Sequence, residues 1–397
     1  MNIIVQKFGG TSLNSQEKVK SAITNIKKII NEKKAVIVIV SAIGRKESPY
    51  STDALLNFLG PNPKLSYKER DKLIACGEII SAVSLSNNLK MNGMKSEAVD
   101  AYKAGIITDN QFGKSSILKI NKAYLLKLIK NGIIPIVTGF QGITEKGDIT
   151  TFGRGGSDMT ASVIAAAFSA DYIEIFKDVE GLKTADPNEV IESKLINKVD
   201  YKEIFEMANQ GAKIIFPEAV EIAQNNDIPI YIRHIFTGEK ETQIYHFNHK
   251  RPITGISCKE NILFIRLKPH IEYQKDLIIF RELADNNISA DFIDIRPTEI
   301  TFIVDERYKT IVNTICEKKE IPFAVLDSFI KISLVGTGMT GVPGIMAKII
   351  EIFNQNNIRI YQTTDSHTTI SCLISKKDKH KAIKALHNGM FDMKLQK

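Results

Sequence analysis

From Asn2 to Phe8 the chain is a run of β-forming residues. After Ser12 the apolar positions change period, and Val19, Ala22, Ile23, Ile26 and Ile30 follow the spacing of one helix face. That change predicts a strand ending near Lys7 and a helix beginning just past Ser12. The alternation continues with strand-length apolar runs at Ala35–Ser41, Ser96–Asp100, Ile133–Phe140, Tyr172–Phe176 and Ile228–Arg233. Helical patterns fall between them, Glu69–Met91 being the longest after the first. Strands alternating with helices build a largely parallel sheet sandwiched by helices. The pattern gives way to a polar stretch, Thr237–Arg251, which reads as a linker, so an α/β domain is expected over residues 1–249. His246 and His249 lie in that stretch, and without further ligand-type neighbours they read as linker surface rather than a metal site.

The last third repeats itself. Asn286-Asn287-Ile288 returns as Asn356-Asn357-Ile358, and the strand-like run Thr298–Val304 returns as Thr368–Ile374, both at an offset of 70 residues. Each copy reads strand, helix, strand, strand, helix, strand, the pattern of a small ferredoxin-like α+β unit. The first copy runs from about Asn261 to Asp327 and the second from Ser328 onward, so domains are expected at 250–327, linker included, and at 328–397.

Composition narrows the setting. Cys76, Cys258, Cys316 and Cys372 stand alone with no CxxC pair, as expected of reduced thiols in a cytoplasmic protein rather than of disulfides or a zinc site. The longest apolar runs, such as Ala35–Val40, are too short to cross a membrane, and the N-terminus enters a strand directly, unlike a signal peptide. The net charge of +8 raises the question of a nucleic-acid partner. The lysines argue against one. Lys27, Lys28, Lys33 and Lys34 close a helix, while Lys376, Lys377, Lys379, Lys381 and Lys384 alternate with acids and apolar residues, as solvated helix faces do.

Two glycine loops carry the candidate chemistry. In Lys7-Phe8-Gly9-Gly10-Thr11-Ser12, adjacent glycines let the backbone approach an anion, and Lys7 adds a full positive charge. A tight strand-to-helix turn would explain one such loop. A second, Gly153-Arg154-Gly155-Gly156-Ser157-Asp158, also opens a helix, and two loops in one domain point to two anions. Arg154 has the fork that grips a carboxylate, and Gly155, Gly156 and Ser157 offer donors at a helix N-terminus. Asp158 is suited to orient Lys7 or to hold Mg²⁺ near the phosphates, or serves only as a first-turn helix acid. A third run, Gly336 to Gly341, fits GxGxxG after a strand and before a helix, with Pro343 near the helix start. Its unit is too short for a dinucleotide domain, and the first copy lacks the glycines, so an effector loop is the better reading.

In order and spacing, several motifs together resemble the aspartokinases of the amino-acid kinase family, and the resemblance covers nearly the whole chain. They are KFGGTS, VSAIGRKESPYSTDALL (Val40 to Leu56), CGEIISA (Cys76 to Ala82), GFQGITEKGDITTFGRGGSD (Gly139 to Asp158), KDVEGLKTADP (Lys177 to Pro187) and GAKIIFP (Gly211 to Pro217). The resemblance implies an amino-acid-kinase catalytic domain followed by two ACT domains. It also implies ATP-dependent phosphorylation of L-aspartate to 4-phospho-L-aspartate, with Mg²⁺ accompanying ATP. Lys7, Asp158 and Lys213 would be catalytic. Lys7, Phe8, Gly9, Gly10, Lys177, Asp178, Lys183, Asp186, Pro187, Asn188 and Lys213 would meet ATP. Ser41, Thr52, Glu78, Arg154, Gly155, Gly156 and Ser157 would hold aspartate. Aspartokinases commonly read TDVDGVYTADPR where this chain has Lys177, Leu182, Lys183 and Asn188 in place of threonine, valine, tyrosine and arginine, and Phe216 stands where histidine is common. The nucleotide side is therefore where the chain departs from its relatives.

The ACT resemblance implies a homodimer through these units and an amino-acid effector. Met339, Gly341, Val342 and Pro343 in the glycine loop, with Asp365 and Ser366 on the facing strand, would bind it. The first copy has Ile271–Gln274 in place of the Gly341–Gly344 loop and should not build the same pocket. That asymmetry looks most like the monofunctional aspartokinases of Gram-positive spore formers regulated by meso-diaminopimelate, with lysine and threonine as alternative effectors. Two other functions remain open. One is a kinase of the same fold acting on glutamate, N-acetylglutamate or UMP, against which the tandem repeat argues. The other is a non-catalytic amino-acid-binding regulator, against which Lys7, Arg154, Asp158 and Lys213 argue.

Overall fold

A computed structural model describes residues 1–45, 48–60, 64–238, 241–247, 251–268, 278–339 and 341–391. The chain divides into two compact units. Met1–Leu182, Leu195–Phe205 and Lys213–Asn248 form the first, and Lys183–Lys194, Glu206–Ala212 and His249–Lys397 form the second.

Strands of the first unit are β1 (Ile3–Phe8), β2 (Ala35–Val40), β3 (Ser96–Val99), β4 (Ile106–Thr108), β5 (Ile117–Ile120), β6 (Ile134–Thr138), β7 (Gln141–Thr144), β8 (Ile149–Thr151), β9 (Tyr172–Lys177), β10 (Lys198–Asp200), β11 (Ile230–His234) and β12 (Glu241–Tyr245). Its main sheet has the order β10-β12-β11-β9-β1-β2-β6-β3, and only the β11–β12 pair is antiparallel. β1 and β2 sit at the centre and are buried nearly throughout, which is why they read as unbroken apolar runs rather than as alternating ones. All six strands predicted from the pattern lie in this sheet. The short strands of a second sheet, β5-β4-β7-β8, were not predicted, since three or four residues carry too little periodicity to read.

Three expectations need correction. The first helix does not start at Ser12: Gly10–Ser12 form a single 3-10 turn, and the helix Gln16–Asn31 begins after Ser15, whose Oγ accepts from Lys18 N–H. Glu69–Met91 is two helices, Tyr67–Ile74 and Cys76–Met91. Thr237–Arg251 is not simply a linker, because β12 falls inside it and Arg233 binds the Glu241 carboxylate at 2.8 Å. His246 lies 3.1 Å from Asp227, while His249 falls outside the described residues.

In the second unit the strands are β13 (Gly255–Leu267), β14 (Asp291–Arg296), β15 (Glu299–Asp305), β16 (Phe323–Val335), β17 (Ile360–Asp365) and β18 (Thr369–Ser375). They form one sheet, ordered β14-β15-β13-β16-β18-β17. The repeat is real but differently closed. Ile262–Leu267 pairs with β15 and with the start of β16, completing the first copy, whereas Gly255–Lys259 pairs with Lys331–Val335. The strand that completes the second copy therefore comes from before the first one, and β13 and β16 each serve both copies. An irregularity after Lys259, with Asn261 at φ 56°, separates the two halves of β13. No helix among the described residues is long and apolar enough to cross a membrane.

Candidate active site

The site is built at the carboxyl ends of the central parallel strands, where open α/β sheets hold their ligands. Lys7 lies on β1 opposite Ile39 and Ile175, and its Nζ is 2.7 Å from Asp158 Oδ1, both side chains being buried. Burial pushes the Asp158 carboxyl up, but Lys7 and Lys177 together outweigh it and hold the group below the usual carboxylate range. Lys177 ends β9 two residues beyond the partner of Lys7, so strand alternation puts both lysines on one face of the sheet. Burial also lowers the Lys177 ammonium, an effect that Asp158 opposes and Lys7 reinforces. Asp158 is thus paired with Lys7 and within electrostatic reach of Lys177.

The glycine loops are packed into one another. A Cβ at Gly10 would collide with the Ala42 carbonyl, and Gly10 O accepts from Gly44 N–H at 3.0 Å, so this glycine is demanded by the neighbouring loop. At Gly9 the nearest atoms to such a Cβ are 3.7–3.8 Å away, which is ordinary contact. The protein's own packing does not require a glycine there, and an approaching ligand would. Gly155, at φ 78°, precedes the helix Gly156–Phe168 and lies under the Phe216 ring. The Phe216 backbone also helps to hold the Asp158 carboxyl in its ionised form.

A cavity of about 510 Å³ opens beside these loops. It is bordered by Lys7, Gly10, Ser41, Thr52, Glu78, Arg154, Gly155, Gly156, Ser157 and Asp158, which brings every residue predicted for aspartate to one place. Glu78 is 2% exposed. Its Oε1 accepts from Ala42 N–H at 2.9 Å, while Oε2 is buried without a partner. Burial pushes this carboxyl up to about 8, although the Ala42 bond and Lys7 oppose the shift. A buried acceptor with nothing to accept is costly, and an ammonium group entering the cavity would satisfy it.

The residues predicted for ATP are less united. Phe8 is fully buried and stacks on Phe176 with ring centroids 4.7 Å apart, so its side chain belongs to the core and only its backbone is left for a ligand. Lys177 and Asp178 belong to the first unit, whereas Lys183, Asp186, Pro187 and Asn188 belong to the second. Asn188 is held in a local turn, its N–H and Nδ2 both donating to Asp186 Oδ1 at 2.9 Å. Lys213 is exposed and does not border the cavity.

Comparison with known proteins places the chain in a family. Residues 2–234 match the amino acid kinase family, and residues 325–388 match the ACT domain. Aspartokinase 1 of Bacillus subtilis (strain 168) is 40% identical, the match spanning 98% of both chains. The chain belongs to the aspartokinases. The aspartokinase of Geobacillus stearothermophilus is 32% identical, over 98% of this chain and 97% of its own. The fold matches Escherichia coli aspartokinase III in complex with aspartate and ADP, at a TM-score of 0.85 and 21% identity, covering 98% and 100% of the two chains. It also matches the Clostridium acetobutylicum aspartate kinase, at 0.75 and 23%, covering 97% and 99%. This aspartokinase is an ATP-using enzyme that converts L-aspartate to 4-phospho-L-aspartate for amino-acid biosynthesis, not a non-catalytic regulator.

Cavity residues that the sequence did not single out include Arg45, Arg70, Ile74, Gly113, Phe140 and Thr151. Phe140 has φ 70°, uncommon for a bulky residue and characteristic of functional sites, but invisible in a sequence pattern. Arg70 had a legible signal, as it lies eight residues before Glu78 on helical spacing.

In the aspartokinase's second unit, the GxGxxG run serves packing. A Cβ at Gly336 or Gly338 would meet the backbone of Arg251–Ile253, and Gly338 N–H donates to Arg251 O at 2.7 Å. Met339 is buried in the core of the second copy, so its side chain is not free for an effector. Gly341, Val342, Pro343 and Asp365 are exposed. Ser366 Oγ is taken up by the turn before β18, bonding Thr369 Oγ1 at 2.8 Å. Ile271–Gln274 lies outside the described residues.

Proposed function

We propose that the cavity is the aspartate site, with Glu78 receiving the α-ammonium, Arg154 a carboxylate, and Ser41, Thr52, Gly155, Gly156 and Ser157 completing the hold. What supports this reading most is the unpartnered Glu78 Oε2 bordering the same cavity as Arg154. The substrate's side-chain carboxylate then faces Lys7, and one of its oxygens bonds the γ-phosphorus as the bond to the ADP oxygen breaks. Lys7, fixed by Asp158, offsets the charge that passes between carboxylate, phosphoryl group and ADP. Gly9 and Gly10, with Lys177, Asp178 and Lys213, would line the nucleotide's path, whereas Lys183, Asp186, Pro187 and Asn188 are assigned to ATP by their motif alone. Among the described residues no cluster of three His, Cys, Asp or Glu could hold a metal. Mg²⁺ would enter with the ATP phosphates and neutralise part of their charge. An ADP-release assay with aspartate, glutamate and N-acetylglutamate tests the site, since Arg154→Ala should raise the aspartate KM far more than it lowers kcat. Near-parental kinetics would refute the assignment.

The second unit is read as the effector-binding and dimer-forming part, with ACT domains at 250–327 and 328–397; the unit also takes in Lys183–Lys194 and Glu206–Ala212. Ile293 and Ile295 stand half-exposed on the edge strand β14, an apolar edge that pairing of two copies would cover. Gly341, Val342, Pro343 and Asp365 would face the effector, for which meso-diaminopimelate is the first choice and lysine or threonine the alternatives. Titrating activity with each, on the parent and on Asp365→Ala, decides among them. Failure of all three to inhibit removes the assignment.

A further inference from the structure

On the side of the cavity formed by Tyr67–Ile74 and Cys76–Met91, Arg70, Ile74 and Glu78 recur four residues apart. Ala75, between the two helices, keeps helical dihedrals of φ −63° and ψ −20°, so the three residues form one continuous stripe. Eight residues correspond to about 12 Å of helix. Glu78 lies deep at one end and Arg70, half-buried, at the other. The turn that carries Arg70 is locked by its neighbour. Asp71 is 0% exposed, and its Oδ2 accepts from Gly113 N–H at 2.8 Å and Thr151 N–H at 2.9 Å, while Oδ1 accepts from Thr151 Oγ1 at 2.8 Å. Gly113 and Thr151 themselves border the cavity, so the wall around Arg70 is fixed before any ligand arrives.

The charges of the cavity are unbalanced. Arg45, Arg70 and Arg154 all border it. Of the acids there, Asp158 is taken by Lys7, and burial favours the neutral form of Glu78, which leaves Asp53. Among the described residues, Arg70 makes no ion pair. A guanidinium held at the wall of a cavity that receives a dicarboxylate, with no carboxylate of its own, is a ready bidentate partner for the substrate.

We propose that Arg70 is a further aspartate-binding residue, a second guanidinium that pairs with a substrate carboxylate alongside Arg154. The proposal rests on the reading of the cavity as the aspartate site. Its test is steady-state kinetics of the full chain and of Arg70→Gln, Arg70→Lys and Arg154→Gln, with aspartate and ATP each varied. Loss of a charge-assisted hydrogen bond should raise the aspartate KM of Arg70→Gln about tenfold or more, with kcat and the ATP KM within about twofold of the parent. Arg70→Lys should recover part of the loss, because it keeps the charge and loses the fork. An aspartate KM within about twofold of the parent in Arg70→Gln, or an equal loss on ATP, overturns the proposal. If Arg154→Gln also leaves the aspartate KM unmoved, the reading of the cavity falls with it; if Arg154→Gln raises it, only the role of Arg70 is lost.

Discussion

The two halves of the catalytic site are put together differently. Residues read as aspartate-binding come from four separate stretches of sequence, yet they border one cavity within one unit. Residues read as ATP-binding include a nearly continuous run from Lys177 to Asn188, yet the chain passes from the first unit to the second between Leu182 and Lys183. Proximity in sequence is therefore a poor guide to a shared site, and packing between loops is a better one. The aspartate half is held by close backbone contacts, Gly10 against Ala42 and Gly155 under Phe216, whereas Asp186 and Asn188 bond chiefly to each other.

The largest effect is expected where the two halves meet. Lys7→Ala removes the cation proposed to face both substrates and strands Asp158 in a buried position. kcat should fall about 10²–10³-fold, in the range measured for removing one preorganised transition-state donor, with a smaller change in either KM. A variant that lost only aspartate affinity would place Lys7 wholly in the aspartate half and break the comparison.

Next in size is a contrast between adjacent glycines. Gly10→Ala should lower stability by about 1–3 kcal/mol, because the new methyl group collides with rigid backbone. Gly9→Ala should unfold at close to the parent's temperature and raise the ATP KM, since its surroundings have room for the methyl group until the nucleotide arrives. Thermal unfolding and ATP kinetics on the two variants separate these cases. Equal destabilisation would mean that Gly9, too, serves only the fold.

Much of this was legible beforehand, and the failures have physical causes. The main-sheet strands were readable because strands buried on both faces are apolar throughout, and the repeat because two copies of one unit share a residue pattern. The exchange of Gly255–Lys259 into the second copy was not, since nothing local in a strand's sequence says which neighbour it pairs with. Glu78 and Arg154 could be named from their motifs. The missing partner of Glu78 Oε2 could not, because it depends on which backbone N–H groups come near. The motif around Phe8 marks a stretch of backbone and says nothing of its side chain, which strand alternation sends into the core.

The pH dependence of aspartate binding sharpens the account of that half. With its pKa near 8, Glu78 is mostly neutral at pH 7 in the free enzyme, and an ammonium ligand favours the ionised form. Binding must then release a proton below that pKa, so affinity rises with pH and levels off above it. The aspartate KM should fall about tenfold between pH 7 and 9 in the parent, as linkage to one such group requires. It should be weak and nearly flat over the same range in Glu78→Gln. A flat parental profile would mean that Glu78 is already ionised in the free enzyme or lies away from the ammonium.

The smallest effect probes the nucleotide half, where the sequence departs most from its relatives. Lys177 and Asn188 stand where aspartokinases commonly have threonine and arginine, and from sequence alone the two changes look like one altered loop. The structure separates them. Lys177 lies on the same face of the central sheet as Lys7 and helps to keep Asp158 ionised, whereas Asn188 is held in a local turn on Asp186. Lys177→Thr alone should therefore raise the ATP KM several-fold, of the order expected for a partly screened charge near a phosphate, and leave the aspartate KM nearly untouched. Asn188→Arg alone should do little, and adding it to Lys177→Thr should not restore the parental ATP KM. If the double variant binds ATP as the parent does while each single variant is impaired, the two positions act on the nucleotide together, and the division of this half between two units does not describe the working enzyme.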